Sequence, residues 1–442
     1  MKENRGFAVG EQALTSFDRQ FTMRCRVQRP DRYRLLDALP AGAPRIARGS
    51  GVSYVAASFG VDAVSQEMAA FDRLLAFDGQ HGLLRVEAGA RIGDVERFAL
   101  GHGWYLPVAP GHPAATIGGC IAADVHGKNP ARDGTFRAHV AALELWRDGA
   151  SVTVAPDHGG DLFADTCAGF GLTGTIVSAT LRLARAPAAL AVRRIPVAGL
   201  AEAAQVLRDA VNVPLLYGWH DGRPGRFGRG VIRIGLDTAD AAAAPAGRTP
   251  DLPAVIAPSR IPTWNRLGIA VANGMIQRRW CRPGQTAVAL ADTLFPLNAA
   301  RPYFAGFGAA GFVEAQWLVP HTRFAAFAEG LENAVARGRP RISLISSKLF
   351  AGEPDGLAFD GNGISLALHL PSPAEPSQRA FLDALTELAL AHGGRPNLIK
   401  DSTLDAATVR RAIPGFDAIR DRLRQWDPDG HLRSELTRRL GL

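Results

Sequence analysis

The sequence predicts an α+β fold with two differently textured parts. Three observations carry this. Residues 45–185 alternate short strand-like and helix-like runs broken by Gly-rich turns. Beyond residue 185, amphipathic helices and strand-like runs take over. The length, 442 residues, suggests two or three folding units. Apolar residues at 47% and charged residues at 21% are near globular norms, which excludes a disordered, collagenous or coiled-coil chain. Glycine, 48 residues, exceeds the usual ~7% and points to tight turns or backbone packed against a ligand.

Each element follows in order. Pro44–Gly51 reads as a strand entering a Gly-rich turn, Leu83–Ala88 as a strand, and Ile92–Leu100 as a helix. Residues 107–129 are dense in Gly and Pro and read as a long loop. Leu143–Trp146 and Ser151–Val154 flank the turn signal Asp148-Gly149. Asp161–Thr166 reads as a short helix and Thr175–Leu183 as a strand. Leu200–Asn212 is an amphipathic helix, and residues 239–257 are an Ala/Pro-rich loop. Strands are expected at Gly311–Val319, Ile342–Leu349 and Ile364–Leu370, and helices at Thr322–Arg337 and Ser377–His392. The tail from Ala407 to Leu442 is helical and basic.

The formal charge of +8 fits an anionic ligand or membrane surface and does not demand nucleic acid. Cys25, Cys120, Cys167 and Cys281 form no CxxC pair, so no metal site or disulfide framework is expected. No signal peptide and no membrane-spanning run is read.

Gly169–Gly174 reads GFGLTG, a formal match to the dinucleotide fingerprint G-x-G-x-x-G. That fingerprint follows a strand and opens a helix. Here a helical run precedes it and the β-branched TIVSATLRL follows, so a helix-to-strand turn is expected. Two other segments share its character: Arg48-Gly49-Ser50-Gly51-Val52-Ser53-Tyr54, and the stretch from Pro110-Gly111 to Lys128-Asn129. Three such loops in order offer unhindered backbone N–H groups suited to phosphate oxygens.

On these residues the chain resembles the flavoproteins with a vanillyl-alcohol-oxidase-type (PCMH-type) FAD domain. The motifs are TIGGCIAADVHGKN at Thr116–Asn129, IARGSGVSY, GLTGTIVSAT, Trp219-x-Asp221 to Gly228-Arg229-Gly230, Lys400-Asp401-Ser402, and the ending DPDGHLRSELTRRLGL. The likeness runs from about residue 20 to the C-terminus and is greatest to members acting on polyprenylphosphoryl-ribose. It implies a two-part FAD domain, 1–188 and 395–442, around an antiparallel-sheet cap, 189–394, with flanking helices. It implies oxidation of a secondary sugar hydroxyl, the 2-hydroxyl of a lipid-linked pentose. A separate NAD(P)H-dependent short-chain reductase would complete epimerisation. The alternative is an oxidase of free sugars, alditols or aldonolactones, because GGRPNLIKD is similar to a motif of aldonolactone oxidases.

The resemblance assigns FAD to Arg48, Gly49, Ser50, Gly51, Val52, Ser53 and Tyr54. It adds Pro110, Gly111, Thr116, Gly118, Gly119, Cys120, Ala123, His126, Gly127, Lys128 and Asn129, then Gly171, Gly174, Ile176 and Lys400. Lys400 is the expected catalytic cation and anchor of the reacting hydroxyl. Read alone, it is better explained as a solvated surface charge, the usual state of a lone lysine. His126 is either catalytic or held by the cofactor, and Tyr54 lines the flavin or is a plain core aromatic. Trp219, Gln316, Lys348 and Phe350 match substrate-pocket positions, with Lys348 set to meet a phosphate. Gln316 also reads as an edge-strand residue.

The chain departs from its relatives at Glu314, where they carry Gln, at Ser365 (Asn), at Ala367 (Cys), and at Leu294 and Asn397 (both Tyr). An unpaired carboxylate at 314 would repel a phosphodiester. Residues 260–282 carry five Arg and no acid, with Trp264, Leu267, Val271, Met275 and Trp280 at helix-like spacing. This segment is either an amphipathic element for an anionic bilayer or a packed cap helix. A cytoplasmic protein is expected, with any membrane contact peripheral and on the inner face.

In many relatives a histidine in the first loop bonds the flavin; here that position is Val52, which has no nucleophile. FAD is therefore expected to be held noncovalently. Denaturing the yellow protein should leave all flavin in the supernatant, and flavin precipitating with the polypeptide would refute this.

Overall fold

The computed structural model describes residues 9–40, 42–147, 149–238, 253–295, 300–372 and 375–442. Its strands, in chain order, are β1 (Val9–Thr15), β2 (Thr22–Gln28), β3 (Arg45–Arg48), β4 (Val64–Glu67), β5 (Leu74–Asp78), β6 (Leu83–Glu87), β7 (Trp104–Tyr105), β8 (Val140–Arg147), β9 (Ala150–Val154), β10 (Thr175–Arg182) and β11 (Ala184–Arg185). Eight more follow: β12 (Ala189–Val197), β13 (Leu215–His220), β14 (Gly230–Thr238), β15 (Gly284–Val288), β16 (Phe312–Pro320), β17 (Leu344–Ala351), β18 (Asn362–Pro371) and β19 (Arg395–Pro396).

They form a four-stranded sheet β1-β2-β4-β3, a five-stranded sheet β5-β6-β10-β8-β9, a small pair β11-β7, and an eight-stranded sheet β15-β12-β14-β13-β17-β18-β16-β19. The eight-stranded sheet is antiparallel throughout. The first sheet is mixed: β2 and β3 run parallel to β4.

The eight-stranded sheet is positioned by its side-chain alternation. Val313, Ala315, Trp317 and Val319 of β16, with Ile345, Leu349, Leu366, Leu368 and Leu370, point into one core. The helices His321–Gly338 and Pro376–Ala391 cover that face with Phe324, Phe327, Leu331, Phe381 and Leu385 at helical spacing. A second core lies under the five-stranded sheet and reaches Leu190, Val192 and Leu215.

The last segment returns to the first sheet. Arg45 N–H donates to His431 O (2.8 Å), Glu435 N–H to Phe59 O (2.8 Å), and Leu436 N–H to Ala56 O (3.0 Å). The tail is three helices, Ala406–Ala412, Phe416–Trp426 and Glu435–Leu440, the last opened by a Ser434/Thr437 capping box.

Some expectations change. Residues 107–129 contain a helix, Ile117–Ala122, capped by the Thr116 hydroxyl (3.4 Å to Gly119 N). Its glycines mask it in the sequence, yet Gly118 serves packing: a Cβ there would lie 3.2 Å from Ala88 O. Strands β12, β13, β14 and β15 were not anticipated. The helix from Leu200 ends at Asp209, earlier than expected. The expected loop at 239–257 lies largely outside the described residues. GFGLTG is the helix-to-strand turn expected, leading from Asp161–Thr166 into β10. Gly174 needs its φ of +139°, and even Phe170 adopts a positive φ of 52°.

Glu96 is fully buried in the helix Ile92–Gly101 and accepts one bond, from Leu106 N–H (3.1 Å). Burial pushes its carboxyl up to about 8. The folded state therefore keeps a proton that the unfolded chain sheds above its ordinary value of 4.5. This contribution to stability is complete below that value and is lost as pH rises through about 8. Glu96→Gln should raise Tm by several degrees at alkaline pH, with the gain vanishing in acid. A pH series of thermal melts tests it.

Candidate active site

The face of the eight-stranded sheet turned away from the helices carries polar residues. β16 pairs with β18 so that Glu314 stands opposite His369 and Gln316 opposite Ala367. β17 pairs with β18 so that Lys348 stands opposite Ser365. Glu314, Gln316, Lys348, Ala367 and His369 line a cavity of ≈ 530 Å³, closed on its other side by the glycine loops.

The loops converge as expected. Gly49, Ser50, Gly51, Val52, Ser53 and Tyr54 line the cavity, as do Pro110, Gly111, Thr116, Gly118, Gly119, Cys120 and Ala123. His126, Lys128, Gly171, Gly174, Ile176, Trp219, Asn397 and Lys400 join them. A Cβ on Gly49 would overlap the Thr116 hydroxyl at 2.1 Å, so the first two loops touch only because no side chain intervenes.

Five expected residues stand behind the wall instead. The Arg48 guanidinium is turned to Ser58 Oγ (2.9 Å) and Glu67 (3.7 Å). Asn129 spends its amide on Val211 O (2.8 Å) and Val213 O (2.6 Å). Gly127 faces Val108, and its carbonyl accepts from Lys348. Phe350 is fully buried with Leu318 and Phe359, its ring edge-on to that of His126 with centroids 5.3 Å apart. Ser365 supports the lining by accepting from Gln316 (3.0 Å). Leu294, a departure noted above, is buried in the second core.

Two networks organise the site. In the first, the turn after β19 carries Lys400 back over the Tyr54 ring, Nζ 3.7 Å from its centroid and 3.6 Å from Glu314 Oε2. Glu314 Oε2 also meets His369 Nε2 at 2.7 Å, and His369 Nδ1 meets the Tyr303 hydroxyl at 2.9 Å. Burial pushes the Glu314 carboxyl up, but Lys400 and His369 outweigh it and hold it at about 2. The carboxylate at 314 is therefore ionised and paired.

The second network fixes His126. Ile399 N–H donates to Asn397 Oδ1 (3.3 Å), leaving Asn397 Nδ2 to donate to Gln316 Oε1 (2.8 Å). Gln316 Nε2 then donates to Ser365 Oγ and to His126 Nε2 (3.1 Å). The His126 proton accordingly sits on Nδ1 and is donated to Gly127 O (3.3 Å), an oxygen that also accepts from Lys348 Nζ (2.7 Å), which lies 3.1 Å from Nδ1. Burial and then Lys348 depress His126; burial and then Lys128 and Lys400 depress Lys348. His126 is thereby held in its neutral form, and Lys348 is pushed toward its own. Both His126 nitrogens are engaged within the protein.

Lys128 differs. It is buried, lines the cavity, and has no hydrogen-bond or ion-pair partner among the described residues. Burial, then Lys400, lowers it to about 8. Sequence reasoning missed His369, Tyr303 and His112, all on the cavity wall. His369 had a signal, since it shares a strand face with Ala367 and Ser365. His112 had one too, lying in the second glycine-rich stretch beside Pro110 and Gly111, whereas Tyr303 had none.

The sequence pattern of the FAD binding domain family matches residues 35–154. Decaprenylphosphoryl-β-D-ribose oxidase of Mycolicibacterium smegmatis is 30% identical over 416 residues, covering 90% of this chain and 89% of that protein. An uncharacterized protein in the mprA 5' region of Streptomyces coelicolor is 30% identical over 77% of this chain and 96% of its own length. The human Δ(24)-sterol reductase is 31% identical over 128 residues, 29% of this chain and 25% of that enzyme.

The chain therefore belongs to the PCMH-type FAD flavoproteins, and it is an FAD-dependent oxidoreductase. The residues present fit the cofactor. Ser53 Oγ, His112 Nε2 and Trp219 Nε1 are buried on the cavity wall with no hydrogen-bond partner among the described residues, beside loops that a Cβ would fill. When bound, FAD supplies the acceptor for a hydride.

Lys128 is charged below about pH 8 and neutral above it. An anionic ligand of the holoprotein, such as a sugar phosphate, should bind about 10–100-fold more weakly as pH rises through that range. Lys128→Gln should bind weakly at all pH values and flatten the profile. Titration followed by flavin fluorescence tests both.

Proposed function

We propose that this oxidoreductase oxidises a polyprenylphosphoryl-pentose to the 2-keto sugar, the C2 hydride leaving to FAD and the hydroxyl proton to water at the site. The observation that carries the reading is Lys400, held over Tyr54 and beside Glu314 where the glycine loops meet the cap sheet. Its ammonium group donates to the reacting hydroxyl oxygen and makes loss of that proton easier. Glu314 aims the ammonium group, and His126 positions Gln316 against the sugar. Lys128, without a hydrogen-bond or ion-pair partner among the described residues, meets the phosphate, while Lys348 is spent on His126 and Gly127. Residues 1–188 and 395–442 make the FAD domain and 189–394 the cap. A separate NAD(P)H-dependent short-chain reductase reduces the ketone from the other face. The lipid tail leaves past Trp264, Ala272, Ile276 and Trp280, an apolar part of the cavity wall. The full-length likeness to decaprenylphosphoryl-ribose oxidase supports this reading.

One observation favours a second reading. The ionised, buried Glu314 suits a neutral polyol better than a phosphodiester. That reading is an oxidase of free sugars, alditols or aldonolactones.

Anaerobic flavin bleaching separates the two. A short polyprenylphosphoryl-ribose should bleach the flavin, and an alditol and an aldonolactone should not; the reverse pattern would establish the second reading. Lys400→Met should retain FAD and slow bleaching by about 10²-fold or more.

A further inference from the structure

The helix Arg266–Trp280 has two unlike faces. Its inner face is pinned to the cap. Asn273 Nδ2 donates to Asp221 Oδ1 (3.0 Å), Arg223 bridges Asp221 to Ala270 O (3.2 Å), and Ile269 is buried. Its outer face presents Leu267, Val271 and Met275, spaced by four residues and 74%, 55% and 65% exposed. Val255 and Ile261, just upstream, are 83% and 76% exposed. Packing on the cap is thus complete, and an apolar face is left over.

This face is ringed by charge of one sign. Arg260, Arg266, Arg278, Arg279 and Arg282 are exposed, residues 260–282 hold no acid, and none of the five arginines joins an ion pair among the described residues. Trp264 departs from the expected single helical face. It precedes the helix and turns inward, donating to Tyr303 O (2.8 Å). With Ala272, Ile276 and Trp280 it lines the cavity, so the exposed face adjoins the cavity's apolar wall.

We propose that this face docks the protein on an anionic lipid bilayer, with Leu267, Val271 and Met275 entering the headgroup boundary and the arginines meeting lipid phosphates. Apolar insertion and a basic rim are the two signals that stable peripheral binding requires. A second copy of the chain is disfavoured as occupant, because a two-fold contact would set the arginines against themselves. Among the described residues no helix is long and apolar enough to cross a membrane, so the contact is peripheral. The inference rests on this surface and stands whether or not the sugar substrate is lipid-linked.

Flotation of the holoprotein with phosphatidylglycerol/phosphatidylcholine vesicles and with pure phosphatidylcholine vesicles tests it. Binding should be confined to the anionic vesicles and fall at high salt. Arg278→Ser/Arg279→Ser should weaken it on the order of tenfold or more. Leu267→Ser/Met275→Ser should abolish it with Tm, flavin content and bleaching by a short soluble substrate unchanged. No binding to anionic vesicles, equal binding to neutral ones, or undiminished binding by the Leu267/Met275 variant would overturn the proposal. So would a wild-type dimer in light scattering that this variant dissociates. Vesicle binding without any bleaching by lipid-linked sugars would instead refute the substrate reading and leave the docking face intact.

Discussion

The site depends on the register of three neighbouring strands. In β16, β17 and β18 one face enters an apolar core, and the opposite face brings Glu314, Gln316, Lys348, Ala367 and His369 to the cavity. Glu314 therefore meets His369 across the β16/β18 pair, and Gln316 lies one step along the same face. A slip of one residue would drive Glu314, Gln316 and Lys348 into a core of Trp317, Leu366 and Leu368. The cost of burying those groups unpaired fixes the register. The register in turn aims the polar residues at the glycine loops.

Charge balance then sets which groups do chemistry. Lys128, Lys348 and Lys400 crowd one cavity whose wall includes the carboxylate Glu314. Three ammonium groups so close cannot all stay charged without cost. The conflict is resolved unequally. Lys400 keeps Glu314, Lys348 is pushed toward its neutral form beside His126, and Lys128 lies between, at about 8. The carboxylate at 314, which looked hostile to an anionic substrate, is the counter-ion that this crowding needs.

Much of this was legible from the residues. The glycine loops, the GFGLTG turn and the strands carrying Gln316, Lys348 and Ala367 follow from local pattern and from resemblance. Strands β12 to β15 were not legible, because runs such as ALAVRRIPV mix charge into their alternation and pair only with distant partners. Arg48 and Asn129 sit in motif stretches yet face away, since each finds a better partner behind the loop. Sequence adjacency to a motif says little about which way a long side chain turns.

The sequence by itself determined the cofactor class, the loop order and the absence of a nucleophile at Val52. These are local properties of backbone freedom and side-chain chemistry. Only the tertiary structure decided that Glu314 is paired, that His126 has both nitrogens engaged, and that Leu267, Val271 and Met275 face outward. Each depends on residues far apart in the chain, such as Glu314 with Lys400 or Asn273 with Asp221. Burial and pairing energies at such sites exist only once those segments have met.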